Sequence, residues 1–201
     1  MSNARCRLER TAVPIVVAAL FLPGTNQALG ADIEAIRKKA EVCVACHGAD
    51  GNSTNPAIPS LAGQPKQFVT TQLVMFREGN RKDPEMSPVA ANLSNVDIDD
   101  LGTYFAAQEL APAAQNLAPD KADAGRRLTE QFRCVQCHGA ALRGQQHIPR
   151  LAGQQAEYLR VQLRGFKAAT RFDMDGNMTS AAQPLSGTDI EILADYLAGL
   201  Q

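Results

Sequence analysis

The chain has 201 residues, 20 Lys and Arg against 21 Asp and Glu, a formal net charge of −1 and 5 cysteines. A near-neutral balance, with no basic run carrying interleaved aromatics, excludes a nucleic-acid partner. With 3 Tyr, 7 Phe and no Trp, few large side chains are available to fill a core.

At the N-terminus, Arg5, Arg7 and Arg10 precede an apolar run from Ala12 to Leu22, and Ala28-Leu29-Gly30 then supplies small residues. This is the layout of a secretory signal, so residues 1–30 are expected to be cleaved, after Ala28 or Gly30. The run is too short to cross a bilayer, and Pro14 and Pro23 bracket it. Cys6 lies ahead of the run and leaves with it. About 171 residues and four cysteines remain, all four in two short motifs with none spare for a disulfide.

Next in chain order, Asp32 to Val42 is predicted to form a helix capped by Asp32 that leads into Cys43-Val44-Ala45-Cys46-His47. Phe68 to Arg77 carries apolar residues at helical spacing. Asp97 to Ala107 reads as a further helix, with Ser94 or Asn95 as its cap. Ala111 to Pro119 is rich in Pro and Ala and uncharged, the composition of an extended, fairly stiff linker. Beyond it the pattern returns. Asp120 to Phe132 is a helix capped by Asp120 that leads into Cys134-Val135-Gln136-Cys137-His138. Tyr158 to Lys167 and Thr188 to Leu200 follow, the last capped by Ser186 or Thr188. No convincing strand is present.

The return is a duplication of a whole unit. The Cys motifs match at an offset of 91 residues, Ile58-Pro59-Ser60-Leu61-Ala62-Gly63-Gln64 matches Ile148-Pro149-Arg150-Leu151-Ala152-Gly153-Gln154 at 90, and Met86, Leu93, Ile98 and Tyr104 match Met178, Leu185, Ile190 and Tyr196 at 92. Length changes of this kind fall in loops. Two units of roughly 80 to 90 residues lie at the small end of what a core stabilises unaided. The division expected is 31–110, a linker 111–119, and 120–201, all-α throughout.

C-x-x-C-H is the covalent attachment signature of c-type haem. Two thiols can bond the two vinyl groups of one porphyrin, and the adjacent His is placed to ligate its iron. The doubled motif therefore predicts two covalently bound haem c groups, on Cys43 and Cys46 with His47, and on Cys134 and Cys137 with His138. For the opposite iron face, Met86 lies 39 residues after His47 and Met178 lies 40 after His138. They are equivalent in the repeat and sit in segments expected to be loops, so both are predicted ligands. Met75 lies in an apolar helix stripe and suits a core role, whereas Met174 has no Met partner in the first unit and is expected in a loop. Pro59 and Pro149, 12 and 11 residues after the ligand His, are expected to support the site. A carbonyl on a stiff Pro loop would take the His Nδ1 proton and fix the ring. His147 faces Ala57 in the repeat and is expected at the surface or a haem edge.

A thioether is a weak donor that prefers Fe(II) and raises the reduction potential. With both axial positions filled by protein, such an iron carries electrons and has no vacancy for bond-making catalysis. An all-cysteine zinc site would leave both His and both paired Met unexplained, and a thioredoxin-like dithiol needs a βαβ pattern that is missing. Charge is uneven: residues 31–110 sum to −4 and residues 111–201 to +1, a dipole that could orient encounters with different partners.

The two Cys-x-x-Cys-His units, each with Pro-x-Leu-Ala-Gly-Gln and a later Met-x-x-x-Ala, resemble the dihaem cytochrome c4 family over essentially the whole chain after residue 30. The resemblance implies two tandem class I cytochrome c domains related by a pseudo-twofold axis, with haem propionates facing each other across their contact. It implies a periplasmic electron carrier, often loosely attached to the membrane, that delivers electrons to a terminal oxidase. Redox proteins are then the expected partners, a quinol-oxidising cytochrome complex as donor and the oxidase as acceptor. A dihaem peroxidase would need one open iron, against the paired Met residues. A fixed cytochrome subunit of a larger dehydrogenase or oxidase would use the same domains.

Overall fold

Two small units that each lack aromatic bulk can build a core only by wrapping amphipathic helices around a shared centre. The computed structural model, which describes residues 25–112 and 117–200, shows this arrangement twice. Residues 1–24 of the expected signal and 113–116 of the expected linker lie outside the described residues.

In the first unit, α1 (Thr25–His47) crosses α4 (Asn95–Ala106), and α2 (Lys66–Arg77) packs on α4. The short α3 (Met86–Ala90) leans on α2. Ala40, Val69, Leu73, Ile98, Leu101 and Phe105 close the core. In the second unit, α5 (Pro119–Gln131) and α6 (Cys134–His138) together take the place of α1. They are followed by α7 (Ala156–Lys167), α8 (Asn177–Ala182) and α9 (Gly187–Ala198). Its core is formed by Leu142, Leu159, Phe166, Leu185, Ile190, Leu193 and Leu197. Among the described residues there is no strand, only an isolated bridge between Gln145 and Ile148.

The helix boundaries correct several expectations. α1 runs back to Thr25, so Asp32 is not its cap and the helix enters the segment expected to be cleaved. α5 is capped by Ala118 with Pro119 in its first turn, which leaves Asp120 inside the helix. Pro suits that place because its missing N–H has no helical partner there. The C-terminal helices start one or two residues earlier than expected, at Asn95 and Gly187, and are capped by Ser94 and Ser186, each one of the two expected caps. Each of these serines accepts from the backbone N–H three residues on, while Asp97 or Asp189 reaches back to the serine N–H. This capping box uses Asp where Glu is usual. Met86 and Met178 sit at the starts of α3 and α8 and not in loops. Neither segment has apolar periodicity long enough to announce a helix, and isolated turns of five or six residues do not form without tertiary support.

The units meet along a seam built by the repeated Pro-x-Leu-Ala-Gly-Gln segment. The Gln64 side chain donates to the Arg150 carbonyl at 3.0 Å and accepts from the Arg150 N–H at 2.9 Å. Its counterpart Gln154 does the same to Ser60, at 2.9 and 2.7 Å. Ser60 and Arg150 are equivalent positions, so the four bonds are related by a pseudo-twofold axis. Both glutamines are buried. Each amide satisfies a backbone N–H and carbonyl that would otherwise be buried unpaired, which costs about 1–3 kcal/mol per group.

Candidate haem-attachment sites

On a helix, residues three and four apart share a face. Cys43, Cys46 and His47 close α1 at that spacing, and Cys134, Cys137 and His138 make up α6. In both units the first Cys packs against the core and the second is exposed. Burial, with the Cys46 thiol adding to it, pushes Cys43 up to about 11, and burial likewise raises Cys134. These are neutral thiols facing an apolar interior.

The His side chains are buried at 5 % and 4 % exposure. The His47 Nδ1 lies 2.7 Å from the Pro59 carbonyl oxygen, and the His138 Nδ1 lies 2.8 Å from that of Pro149. A carbonyl only accepts, so Nδ1 carries the proton and Nε2 presents its lone pair. Burial lowers both His pKa values and so favours the neutral rings, and the carbonyl contact opposes it only in part. The chain must reverse sharply to bring each Pro back over its His. At Gly48, with φ of 79°, an added Cβ would stand 2.0 Å from the Asn52 carbonyl oxygen, so only glycine fits. The loop is then tied down twice. The Gly51 carbonyl accepts from Leu61 and Ala62 N–H, and the Leu142 carbonyl accepts from Leu151 and Ala152 N–H. The motif glycines bond the last helix of each unit, Gly63 to Phe105 and Gly153 to Leu197.

Met86 and Met178 are partly buried against the core of their own unit, each on the segment that follows the second helix. Met75 is buried at 6 % exposure within α2, and Met174 is 73 % exposed. His147 is exposed and lies 3.8 Å from Asp175.

Three arginines at the seam carry no mark in the motifs. The Arg150 guanidinium is buried and donates to the Ala62 carbonyl at 2.8 Å and to the Ala152 carbonyl, two equivalent positions on opposite units. Arg81 and Arg171, also equivalent, share Gln72 and Gln162, and Arg81 donates to the Tyr158 hydroxyl at 3.2 Å. Each lies over a phenylalanine of its own unit, Phe76 or Phe166, at 4.5 Å. Burial pushes Arg150 and Arg171 down to about 10. Burial raises the Tyr158 hydroxyl, yet Arg81 and Arg171 outweigh it and bring the net pKa below the ordinary value. Among the described residues none of the three arginines is in an ion pair. The Nε atoms of Arg150 and Arg171 are buried without a hydrogen-bond partner. The recurrence of Arg81 and Gln72 at an offset of 90 was the available signal for Arg81 and Arg171, whereas Arg150, opposite Ser60 in the repeat, had none.

The chemistry of these donor sets fits haem c: paired thiols on one helical face, a neutral imidazole with a fixed Nε2, and buried cations short of anionic partners.

Comparison with known proteins agrees. A model of the Cytochrome c family matches residues 122–201, and a model described as Cytochrome C oxidase, cbb3-type, subunit III matches residues 29–105. The chain is 37 % identical to cytochrome c4 of Pseudomonas aeruginosa over 198 residues, covering 92 % of this chain and 96 % of that one. It is 35 % identical to a thiosulfate dehydrogenase electron acceptor of Stutzerimonas stutzeri, covering 92 % of each. The crystal structure of reduced cytochrome c4 from Pseudomonas stutzeri superposes with a TM-score of 0.76 at 34 % identity, over 84 % of this chain and 98 % of that one. The protein therefore has two tandem cytochrome c domains bearing two covalently bound haem c groups, and it belongs to the cytochrome c4 family of electron-transfer proteins.

Proposed function

We propose that the chain is a periplasmic dihaem carrier without bond-making catalysis, in which His47 and Met86 ligate one iron and His138 and Met178 the other. The reading divides the protein into a cleaved signal of residues 1–30, domains 31–110 and 120–201, and a linker 111–119. The observation that carries it is the doubled His–Pro contact. Both imidazoles are neutral, buried and oriented by a carbonyl, with one partly buried Met on the later segment of each unit.

The haem iron supplies reversible one-electron chemistry. The protein does the rest. Cys43, Cys46, Cys134 and Cys137 anchor the groups covalently. Pro59 and Pro149 hold the His rings in one tautomer and raise their basicity. Met86 and Met178 would hold the iron from the side away from His47 and His138 and keep water and other small molecules from it. Arg81, Arg150 and Arg171 would receive propionate carboxylates at the seam, since two guanidinium Nε atoms there are buried and unpaired. Held between His and Met side chains that need not move, each group would exchange electrons with little reorganisation.

Electrons would arrive from a quinol-oxidising cytochrome complex and leave to a terminal oxidase. A second donor class is favoured by similarity to two thiosulfate dehydrogenase electron acceptors, at 35 % and 32 % identity: a thiosulfate dehydrogenase would feed the same domains. The 80-residue-scale units contain no helix among the described residues long and apolar enough to cross a membrane, which suits a carrier that is free or loosely attached. Carbon monoxide tests the carrier reading. The reduced holoprotein should leave it unbound at neutral pH, and full binding at either haem would make the protein a dihaem enzyme of the peroxidase kind.

A further inference from the structure

The length change between the two halves falls between an aspartate and the following methionine. Asp83 and Asp173 are equivalent at an offset of 90, whereas Met86 and Met178 are equivalent at 92. The segment is therefore two residues longer in the second unit. The contact at its end is nevertheless the same. In the first unit the Asp83 Oδ1 accepts from the Met86 N–H at 2.8 Å and from the Glu85 N–H at 3.1 Å. The Asp83 N–H in turn donates to the Ser87 hydroxyl at 3.0 Å. In the second unit the Asp173 Oδ2 accepts from the Met178 N–H at 3.0 Å. Its Oδ1 accepts from the Thr179 N–H and hydroxyl at 3.2 and 3.1 Å. The extra residues are taken up by a turn through Gly176, at φ of 72°.

We propose that Asp83 and Asp173 are positioning residues for the two methionines, holding the backbone from which each thioether reaches its iron. The proposal rests on Met86 and Met178 being the distal ligands. Two loops of different length converge on one contact, a carboxylate oxygen on the methionine's own N–H. A contact that merely followed loop shape would have moved when the loop grew. The helices so held, α3 and α8, have five and six residues and cannot sustain themselves without such support. A thioether binds Fe(III) weakly, so the ferric protein depends most on a backbone that keeps the sulfur in reach. Release of the carboxylate would let the iron–sulfur bond open and an added nitrogen ligand take its place, with no change in oxidation state.

The two carboxylates are used differently, and that makes the test specific. Asp83 serves both N–H groups through one oxygen, so Asp83→Asn should keep the contact. Asp173 divides its bonds between two oxygens, so Asp173→Asn can keep only part. Imidazole titration of the full-length ferric holoprotein, followed by loss of the thioether-to-iron band at the red edge of the visible spectrum, reads the open fraction at each haem. Asp83→Ala and Asp173→Ala should each raise imidazole affinity at one haem about ten- to a hundredfold, the factor of one or two charge-assisted hydrogen bonds. Asp83→Asn should match the parent, and Asp173→Asn should fall between parent and alanine. A purely structural role would lower the unfolding temperature while leaving imidazole affinity in the folded protein unchanged, and that result overturns the proposal. If an alanine variant fails to mature, the two asparagine variants decide it, and equal behaviour of the two is contradictory. Met178→Ala is the control. If it leaves the band and the affinity unchanged, the ligand reading has failed, whereas an effect of Met178→Ala without one of Asp173→Ala sinks the positioning role alone.

Discussion

The two units reach the same His–Pro geometry by different backbones. In the first, one helix of 23 residues runs unbroken through Cys43 and Cys46 to His47. In the second, α5 stops at Gln131, Arg133 adopts a left-handed conformation at φ of 56°, and a separate five-residue helix carries the Cys motif. The ring-to-carbonyl distances still agree within 0.1 Å, at 2.7 and 2.8 Å. Helix continuity before the motif is thus free to vary. What is fixed is the motif's own turn and the loop that returns a Pro carbonyl to it. The entry helix instead answers to the last helix of its unit. α5 crosses α9 so closely that a Cβ on Gly125 would lie 2.2 Å from the Tyr196 side chain. α1 is joined to α4 by Lys39, which lies 2.8 Å from both Asp97 and Asp100.

The largest expected effect separates the units by chemistry. Met86→Ala and Met178→Ala should each open one iron, lower its reduction potential and admit carbon monoxide there, with the other haem unchanged. Met174→Ala should leave the ligand spectrum alone, as should Met75→Ala, whose effect should be a core loss of about 2–5 kcal/mol. Carbon monoxide difference spectra of the four variants check this. If Met174→Ala, and not Met178→Ala, opens the second haem, the register through the two-residue insertion is wrong.

Next in size, Gly125→Ala should destabilise the second unit by about 1–3 kcal/mol through overpacking against Tyr196. Denaturant unfolding followed at the two haems should show the second unit melting earlier and the first unmoved. Coincident transitions would mean that the seam makes the units one cooperative body.

The seam is probed directly by Gln64→Ala and Gln154→Ala. Each leaves a buried backbone N–H and carbonyl unpaired and should cost about 1–3 kcal/mol for each group exposed to that loss. Because the two amides are related by the pseudo-twofold axis, the two variants should behave alike, and a linker-cleaved protein should dissociate more readily in either. Analytical sedimentation of the cleaved halves measures it. Unequal effects would place part of the seam's strength in contacts that break the symmetry, such as those of Arg150, of Gln155 with the Ser53 carbonyl and of the Tyr158 N–H with the Pro56 carbonyl.

The smallest effect is electrostatic. Asp97 is held down at about 2, first by Lys39 and then by Ser94, whereas Asp189 is lowered by Ser186 without a lysine. Since the folded pKa of Asp97 lies below its ordinary 3.8, its contribution is present above about pH 4 and is lost as the pH falls through 2. Lys39→Ala should raise the Asp97 pKa toward the ordinary carboxylate value and leave Asp189 in place, as carboxyl NMR titration would show. An unmoved Asp97 would assign its shift to the serine cap.

The duplication made much of this legible. Repeated spacing located the Cys motifs, the supporting prolines and the paired methionines, because covalent attachment and short loops impose fixed intervals. The other long helices were legible to within about two residues, whereas α1 extends seven residues before and five beyond the expected span. Asp32 and Asp120 were misjudged as caps because a carboxylate near a helix start signals a first turn as readily as a cap. α3 and α8 were missed because a helix held by one aspartate has no periodicity to show. The seam was hidden for a different reason. Gln64 and Gln154 satisfy backbone groups on the other unit, and nothing in a linear sequence marks which chain segment an amide will face. Arg150 stands where the first unit has Ser60, and its role exists only because the two units meet.

A spectroscopic redox titration of the full-length holoprotein tests the central claim most directly. Two low-spin haems should titrate as two one-electron steps, with the thioether band present for both when oxidised. If the two haems face each other across the buried seam, as the family resemblance implies, their charges would interact there and oxidation of the first should disfavour that of the second. A high-spin component in either step, or a band accounting for one haem only, would contradict two protein-capped irons and with them the carrier.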